Sequence, residues 1–442
     1  MGMSEIPSDI KLSCNHISID IEYTLELANS VKEKLGKLSP LSSECCIYRV
    51  PKQLCQAAEK SFIPKVVSIG PLHHNREDLR DMEEHKLRYV KDFLERTKVG
   101  LEDCINLIKK SETKLRNCYA ETIDLNSNTF VEMILVDASF IIEVLLRTSF
   151  PEFRTGNDCI VGRPKMLLCI AQDMVLLENQ LPFFIVEDLL RQAKVILPPE
   201  NDVRITMLNL FYNLLQIVFP RDEECPVDRL YSLRIEHFLD FAKSTSLPSP
   251  FPAQRKLLKT LTSIPTITEL YEAGVKFKVD NSRNLLSVRF KNGILEIPRL
   301  YVCVSTEDLM RNLIAYELCH LKDAYVNNFA FLIDRLISTS KDVEILIQNQ
   351  ILETDLPNNQ GAATVITNMA PGAIMIGEKF LFADLCEDLN AYCRDPWRKW
   401  KATLRRDYFS TPWAIMSVIA AIVLLLLTFI QTIFTIKSSR CF

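Results

Sequence analysis

Glycine is scarce in this sequence, with only 11 among its 442 residues. Glycine-rich loops that hold phosphates on their backbone amides therefore have little material to form from, and neither the G-x-x-x-x-G-K nor the G-x-G-x-x-G pattern occurs. A G-x-S-x-G elbow and an H-E-x-x-H helix are missing too. These absences argue against the common nucleotide-binding, hydrolase and zinc-protease classes. We predict no catalytic motif, cofactor or metal.

An excess of charge of one sign is also lacking, because 52 lysines and arginines nearly balance 56 acids and leave a formal net charge of −4. We therefore expect no nucleic-acid partner. Residues 1–38 contain no apolar block like the core of a signal peptide, and no Asn-x-Ser/Thr sequon occurs anywhere. The 14 cysteines include no C-x-x-C pair. We expect them to be free thiols in a reducing compartment, most of them small apolar core residues.

What the sequence does have is a long apolar run near its C-terminus. Residues 412–436 read PWAIMSVIAAIVLLLLTFIQTIFTI, and no charged residue lies between Asp407 and Lys437. About 20 such residues suffice for a helix to cross a bilayer, so we predict a single transmembrane helix followed by a short tail, 437–442. A buried core helix is the alternative. The serine and threonine side chains of the run can return hydrogen bonds to the helix backbone.

A basic, aromatic collar, defined as residues 394–411, precedes this run. Aromatic rings favour the membrane interface, and each cation near an anionic leaflet contributes about 1 kcal/mol. We therefore predict contact with anionic lipid head groups. The excess of cations before the span places the N-terminal body in the cytoplasm, although the short tail leaves the opposite orientation open. The predicted membrane-interface residues are Trp397, Arg398, Lys399, Trp400, Lys401, Arg405, Arg406 and Trp413.

The rest of the chain divides by composition and pattern. Residues 1–44 read as an N-terminal extension with an amphipathic helix, and residues 45–393 as one globular helical domain. A Ser- and Pro-rich stretch gives a possible sub-boundary near 244–254. A small β-meander is predicted at about 275–304. The fold class is therefore mainly α with a small antiparallel β-hairpin element (α+β), plus the C-terminal transmembrane helix.

Local signals place several elements inside the globular domain. Residues 130–146 are apolar nearly all round, as in a central helix. Thr266 and Glu269 form a capping box, and Asn292-Gly293 predicts a tight hairpin turn. Residues 358–364, which are rich in Asn and Gln, are interpreted as a loop.

Several word-like segments together resemble the plant family called domain of unknown function 247, also known as uncharacterised protein family 0481. The resemblance covers residues 47–434, and it implies a mostly helical body with one transmembrane helix near the C-terminus. It implies no catalytic residues, because the family's activity is not established. Some grass members are implicated in pollen self-incompatibility, a role that does not transfer to this chain. The segments are IYRVP (47–51), PKVVSIGPLHH (64–74), MEEHK (82–86), LVDASFIIE (135–143), DMVLLENQLPFF (173–184), EAGVKF (272–277), EIPRLYV (296–302), TEDLMRNLIAYELCH (306–320) and WRKWKATLRRDYFSTPWAIMSVIAA (397–421).

Four acids on apolar segments are the candidate buried polar residues: Asp137, Glu143, Asp173 and Glu178. Burial raises the pKa of an unpaired acid, as a general acid requires. The alternative that we favour is structural, in which each acid binds backbone amides or pairs with a cation. The candidate cations are Arg49, Lys65, Arg163 and Arg311.

Histidines 73, 74 and 85 form the densest histidine group. Their spacing matches no common metal site, so we interpret the His73-His74 pair, which follows a Gly-Pro turn, as solvent-exposed loop residues.

Three functions fit the sequence. We favour a membrane-anchored recognition or signalling-adaptor protein that binds a protein partner. An enzyme that uses the buried acids is the second, and a membrane-trafficking tether is the third. Convergence of the four acids in a solvent-open pocket would favour the enzyme, whereas dry burial with bonded partners would favour the adaptor.

Overall fold

The computed structural model describes residues 23–36, 42–193, 203–220, 226–248, 264–282, 284–320, 324–370, 380–397, 400 and 412–439. This part of the chain is mostly helical with a few short strands, which confirms the predicted fold class. The helices are α1 (23–36), α2 (Lys52–Ala58), α3 (Asp81–Thr97), α4 (Leu101–Asn117), α5 (Ser127–Ser149), α6 (Pro164–Met174), α7 (Phe183–Gln192), α8 (Val203–Val218), α9 (Val227–Tyr231), α10 (Phe238–Ser246), α11 (Ile267–Glu272), α12 (Val304–His320), α13 (Tyr325–Leu336), α14 (Ser340–Gln348), α15 (Asn359–Met369), α16 (Ala383–Arg394) and α17 (Pro412–Ser439). The strands are β1 (Lys276–Asp280), β2 (Arg289–Lys291), β3 (Ile294–Pro298), β4 (Leu300–Val302) and β5 (Leu352–Thr354).

Helix α5 is the centre of the N-terminal half. It begins after Asn126, whose side chain accepts a hydrogen bond from the Thr129 amide at 3.0 Å and so caps the first turn. From Phe130 to Arg147 every residue except Glu132 is buried. Helices α3, α4, α7 and α8 all pack against it. A helix surrounded in this way needs apolar residues on all sides, which explains the predicted all-round pattern.

The C-terminal half is built around α12, which packs against α10, α13 and α15. Helix α14 lies against α11 and α15, and the predicted capping box of Thr266 and Glu269 opens α11. One cluster of buried apolar side chains extends from Val50 to Leu389 and includes residues of both halves. The predicted sub-boundary stays a prediction, because residues 249–263 lie outside the described part of the chain.

The first sheet is only partly as predicted. Strands β2 and β3 form the expected antiparallel hairpin, and both Asn292 and Gly293 in its turn have positive φ, 54° and 75°. Strand β1 pairs with β3 in parallel, however, and the strand order is β1-β3-β2, so the predicted meander is wrong. The segment between β1 and β2 leaves the sheet because its Leu286 and Val288 are buried in the main core. A second sheet pairs β4 with β5 in parallel. These strands have three residues each, too few for a clear alternating pattern.

The interpretation of residues 358–364 as a loop is wrong, because they form the N-terminal part of helix α15. The side chain of Asn358 accepts a hydrogen bond from the Gly361 amide at 2.7 Å, which satisfies one free amide of the first turn. Ala362, Ala363 and Ile366 then pack into the core. Asparagine favours both turns and helix N-caps, and the turn interpretation overlooked the second possibility.

Replacing Asn358 with alanine is expected to destabilise α15 by about 1 kcal/mol, because one amide loses its cap. Amides of residues 359–369 should then exchange with deuterium about five times faster in the native protein. Asn359→Ala, one residue later, leaves the cap in place and serves as the control. Equal exchange rates in the two variants would contradict the capping role.

Candidate functional site

Two irregular segments meet in the interior, and they determine where the predicted acids lie. One is residues 62–70, and the other is residues 175–182 between α6 and α7. Most of their residues are buried, yet neither belongs to a helix or a sheet. Buried backbone amides nevertheless require hydrogen-bond partners. Side chains supply many of these partners.

Asp173 lies in the last turn of α6, and its side chain is 1% exposed. Its carboxylate accepts three successive amides of the first segment, those of Lys65 at 2.9 Å, Val66 at 2.7 Å and Val67 at 2.9 Å. Burial raises the pKa of Asp173, and the three amide bonds oppose that rise. The carboxylate therefore takes the place that a neighbouring strand would occupy in a sheet.

Asn179 and Asp137 continue the same series of bonds. The Asn179 side chain accepts the Ile69 amide at 2.7 Å, and Asp137 accepts the Gly70 amide at 2.8 Å. Gly70 has a φ of +74°, and a Cβ atom there would lie 2.5 Å from the carbonyl oxygen of Gln180. Only glycine therefore fits where the two segments approach each other.

The second oxygen of Asp137 binds Lys86 of α3. The distance from Nζ to Oδ1 is 2.7 Å, and both residues are 1% exposed. Burial raises the pKa of Asp137, and the ammonium group opposes that rise. Burial alone would lower the pKa of Lys86, but Asp137 and the partly exposed Glu83, 2.7 Å away, raise it. The ion pair ties α3 to α5.

Glu178 fixes the start of the domain. It accepts the Val50 amide at 2.8 Å and a guanidinium N–H of Arg49 at 3.1 Å, and His73 Nε2 lies 3.3 Å from its carboxylate. Burial works to raise the pKa of Glu178, but His73, the amide and Arg49 outweigh it and lower the pKa. The prediction that His73 is solvent-exposed is therefore wrong, because it is buried beside this acid.

Glu143 belongs to a buried ion network between α3 and α5. It accepts two N–H groups of Arg96, at 3.0 and 3.2 Å, and one of Arg147 at 2.9 Å. Arg147 also binds Asp92 at 2.5 Å and Asp158 at 2.8 Å. Burial alone would lower the pKa of Arg147, but its acidic partners raise it. The guanidinium thus joins three acids inside the protein.

The four predicted acids do not converge in an open pocket. Each is buried and bonded to its own partners, and none lines the cavities described below. Among the described residues, no group of three His, Cys, Asp or Glu side chains could hold a metal ion. This geometry favours docking of segments over chemistry.

The predicted cationic partners are partly wrong. Arg49 does bind Glu178, but Lys65 contributes only its backbone amide to Asp173, while its ammonium pairs with Asp308 at 2.9 Å. Arg311 pairs instead with Glu307 of its own helix, and no contact joins Arg163 to any of the four acids among the described contacts. Besides Arg49, the cations that meet the acids are Lys86, Arg96 and Arg147, none of which was predicted.

Two of the cations that the sequence analysis missed could have been predicted to be buried from their positions on their helices. Lys86 stands at helical spacing from Met82 and Tyr89 on the buried face of α3, where a solvated lysine has no place. Arg147 follows Glu143 by four residues, the spacing at which side chains meet on a helix. The sequence could not predict which acid Lys86 contacts, because that contact depends on how α3 packs on α5.

Two cavities of ligand-like size lie elsewhere in the described part of the chain. One, of about 480 Å³, is bordered by Cys46, Lys114, Cys118, Arg204 and Arg234, among others, and is called the cysteine cleft below. The other, of about 500 Å³, lies between α12, α13, α15 and the strands, and its lining is mainly apolar. The sequence predicted neither.

Helix α17 contains one segment, Ile415–Ile436, that is long and apolar enough to cross a membrane. Its mean hydropathy is 2.5, and none of it is buried inside the protein. Trp397, Trp400 and Trp413 of the predicted interface are exposed. The predicted cations Arg398, Lys399, Lys401, Arg405 and Arg406 lie outside the described residues.

Comparison with known proteins identifies the family. A family model described as "Plant protein of unknown function", domain of unknown function 247, matches residues 47–427. The chain therefore belongs to this plant family. It is 25% identical to a UPF0481 protein of Arabidopsis thaliana, over 93% of this chain and 90% of the relative. A putative UPF0481 protein of the same plant is also 25% identical, over 89% of this chain and 90% of the relative. No solved structure matches significantly.

The Asp137–Lys86 pair allows a direct test of the docking role. Asp137→Asn keeps an acceptor for the Gly70 amide but leaves the buried Lys86 with only the partly exposed Glu83 as an ion-pair partner, so we expect a loss of about 3 kcal/mol in unfolding free energy. Adding Lys86→Met removes the incompletely paired charge and should recover about 1 kcal/mol or more.

Chemical denaturation of the full-length protein in detergent measures these changes. Glu132→Gln, at the exposed position of the same helix, is the control and should stay within about 0.5 kcal/mol of the wild type. Strict additivity of the two substitutions would show that the pair does not act as a unit.

Proposed function

We propose that this protein is a membrane-anchored recognition or signalling-adaptor protein, with α17 in the bilayer and the helical body in the cytoplasm, where it binds a protein partner. The observation that carries the proposal is the exposed apolar surface of α17. Leu424, Leu425 and Leu426 in its middle are 64%, 71% and 56% exposed. A soluble protein rarely leaves so much contiguous apolar surface in water.

The polar side chains of α17 are compatible with a lipid environment. The hydroxyls of Ser417, Thr428, Thr432 and Thr435 each donate to the carbonyl oxygen four residues earlier, at 2.7 to 2.9 Å. A hydroxyl satisfied within its own helix does not need water. The basic collar then places its cations at the head groups of an anionic leaflet.

Helix α1 supports the recognition part of the proposal. Its Leu25, Val31 and Leu35, which share one face, are 58%, 44% and 60% exposed. Amphipathic helices with such a face commonly lie in an apolar groove of another protein. A partner that covers this face would bury the apolar side chains that the body leaves exposed.

The membrane anchor is tested by Leu425→Arg together with Leu426→Arg. Each arginine at the centre of a spanning helix costs about 2.5–3.5 kcal/mol on insertion, so the pair should move much of the protein out of carbonate-washed vesicles. The matched control, leucine to isoleucine at both positions, should remain with the vesicles. Removal of the wild type by carbonate would overturn the anchor.

The partner is tested by proximity labelling in plant cells with the labelling enzyme fused to the N-terminus. Leu25→Ser, Val31→Ser and Leu35→Ser together should reduce enrichment of the true partner about tenfold or more. Glu26→Ser with Lys34→Ser, on the opposite face, is the control. If the labelled proteins are unchanged by the apolar substitutions, or belong to a lumenal compartment, the proposed surface or orientation is wrong.

A further inference from the structure

Two cysteines that are far apart in the sequence lie on adjoining stretches of backbone. The Cys46 amide donates to the Cys118 carbonyl oxygen at 2.9 Å, and the following residues, Ile47 and Tyr119, form a parallel β-bridge. A disulfide spans Cα distances of roughly 4.4 to 6.8 Å, and residues paired in parallel lie about 4.8 Å apart. The bridge, one residue beyond each cysteine, therefore brings the two backbones together in the range that a disulfide needs.

The two side chains contact each other apart from the main core. Cys46 and Cys118 are 3% and 4% exposed, and with Ile47 and Tyr119 they form a small buried cluster of their own. The position of Cys46 is fixed further by His237, whose ring Nε2 lies 3.1 Å from the Cys46 carbonyl oxygen. Burial lowers the pKa of His237 to about 3, so the ring is neutral and can donate this bond.

Both cysteines border the cysteine cleft. Because they are only 3% and 4% exposed, exchange with a solute requires the cleft wall to open locally. Three cations, Lys114, Arg204 and Arg234, and three acids, Glu44, Glu187 and Glu236, border the same cleft, so it offers charges of both signs. Lys114 lies over the Phe184 ring, 3.8 Å from its centre, and Arg204 and Arg234 bind Glu187 and Glu44.

The two thiols share one contact. It lowers the pKa of Cys118, with burial and Glu44 opposing and Lys114 assisting, and it raises the pKa of Cys46, with burial adding to the rise. The Cys118 thiol also donates to the Lys114 carbonyl oxygen at 3.3 Å, which favours its protonated form. Either cysteine can therefore supply the thiolate, which is the attacking form.

We propose that Cys46 and Cys118 are a reversible dithiol–disulfide pair that exchanges with a low-molecular-weight disulfide carrying both carboxylates and ammonium groups, such as glutathione disulfide, bound in the cysteine cleft. One cysteine attacks one sulfur of the ligand as its thiolate and displaces the first glutathione thiolate. The other cysteine then loses its proton and attacks the protein sulfur of the mixed disulfide, which displaces the second glutathione thiolate. The protein loses two electrons and two protons, and one glutathione disulfide becomes two glutathione thiols.

The closed bond would connect the start of the domain to the end of α4. Residues 47–117, which include α2, α3 and α4, would then lie inside a covalent loop, and such a loop restricts the unfolded chain. The reduced form should predominate in a reducing compartment, where protein disulfides are transient. The redox state of the pair would thus report on the compartment that the body faces.

The test uses the full-length protein in detergent, equilibrated in glutathione buffers of graded oxidation. Remaining thiols are blocked by alkylation, and peptides are identified by mass spectrometry. The expected result is a peptide joining Cys46 to Cys118 that appears with oxidation and disappears with dithiothreitol. Thermal unfolding of the oxidised form should occur several degrees higher than that of the reduced form.

Two variants separate the steps. Cys46→Ser and Cys118→Ser should each abolish the cross-link, and the cysteine that attacks first should keep a lasting glutathione adduct in the variant that lacks the other cysteine. Cys104→Ser, a buried cysteine of α4 away from the cleft, is the control and should not change cross-linking. Failure of folded wild type to form the bond at any buffer ratio, or a cross-link through the neighbouring Cys45, overturns the proposal.

Discussion

Buried backbone amides need hydrogen-bond partners, and in this protein an irregular inner segment, residues 62–70, obtains them from side chains. Asp173, Asn179 and Asp137 accept five of its amides in order along the chain. Without them, this segment would lose its attachment to the interior, since unsatisfied buried amides are costly. The domain is thus held together partly by acids that a purely apolar core would not contain.

Burying these acids is itself unfavourable, and the protein offsets the cost in two ways. Asp173 uses backbone donors, whose number and fixed direction hold the carboxylate in place. Asp137 and Glu143 add cations from α3, the buried Lys86 and the half-buried Arg96, so that each ion pair also connects two helices. Such bonds have directional requirements that apolar contacts lack, and they define the docking of α3 on α5 more sharply than hydrophobic packing does.

The sequence predicted what depends on neighbouring residues. The all-round apolar pattern of α5, the Thr266–Glu269 capping box and the Asn292-Gly293 hairpin all arise within a few residues and were confirmed. It failed where the outcome depends on distant segments. Two such outcomes are the parallel pairing of β1 with β3 and the pairing of Lys86 with Asp137. Both depend on how distant segments pack against each other, which cannot be determined from a single sequence.

The same distinction separates the interior from the places where binding chemistry remains available. An acid that already holds a backbone segment cannot serve a substrate without releasing that segment, so the buried acids are poorly suited to turnover. The described features that face outward are different in kind: the apolar face of α1, the apolar helix α17 and the cysteine cleft. The two helices can gain a contact without breaking one inside the body. Function in this protein is therefore best sought at its surface and its two ends, with the buried polar network as the support that keeps them in place.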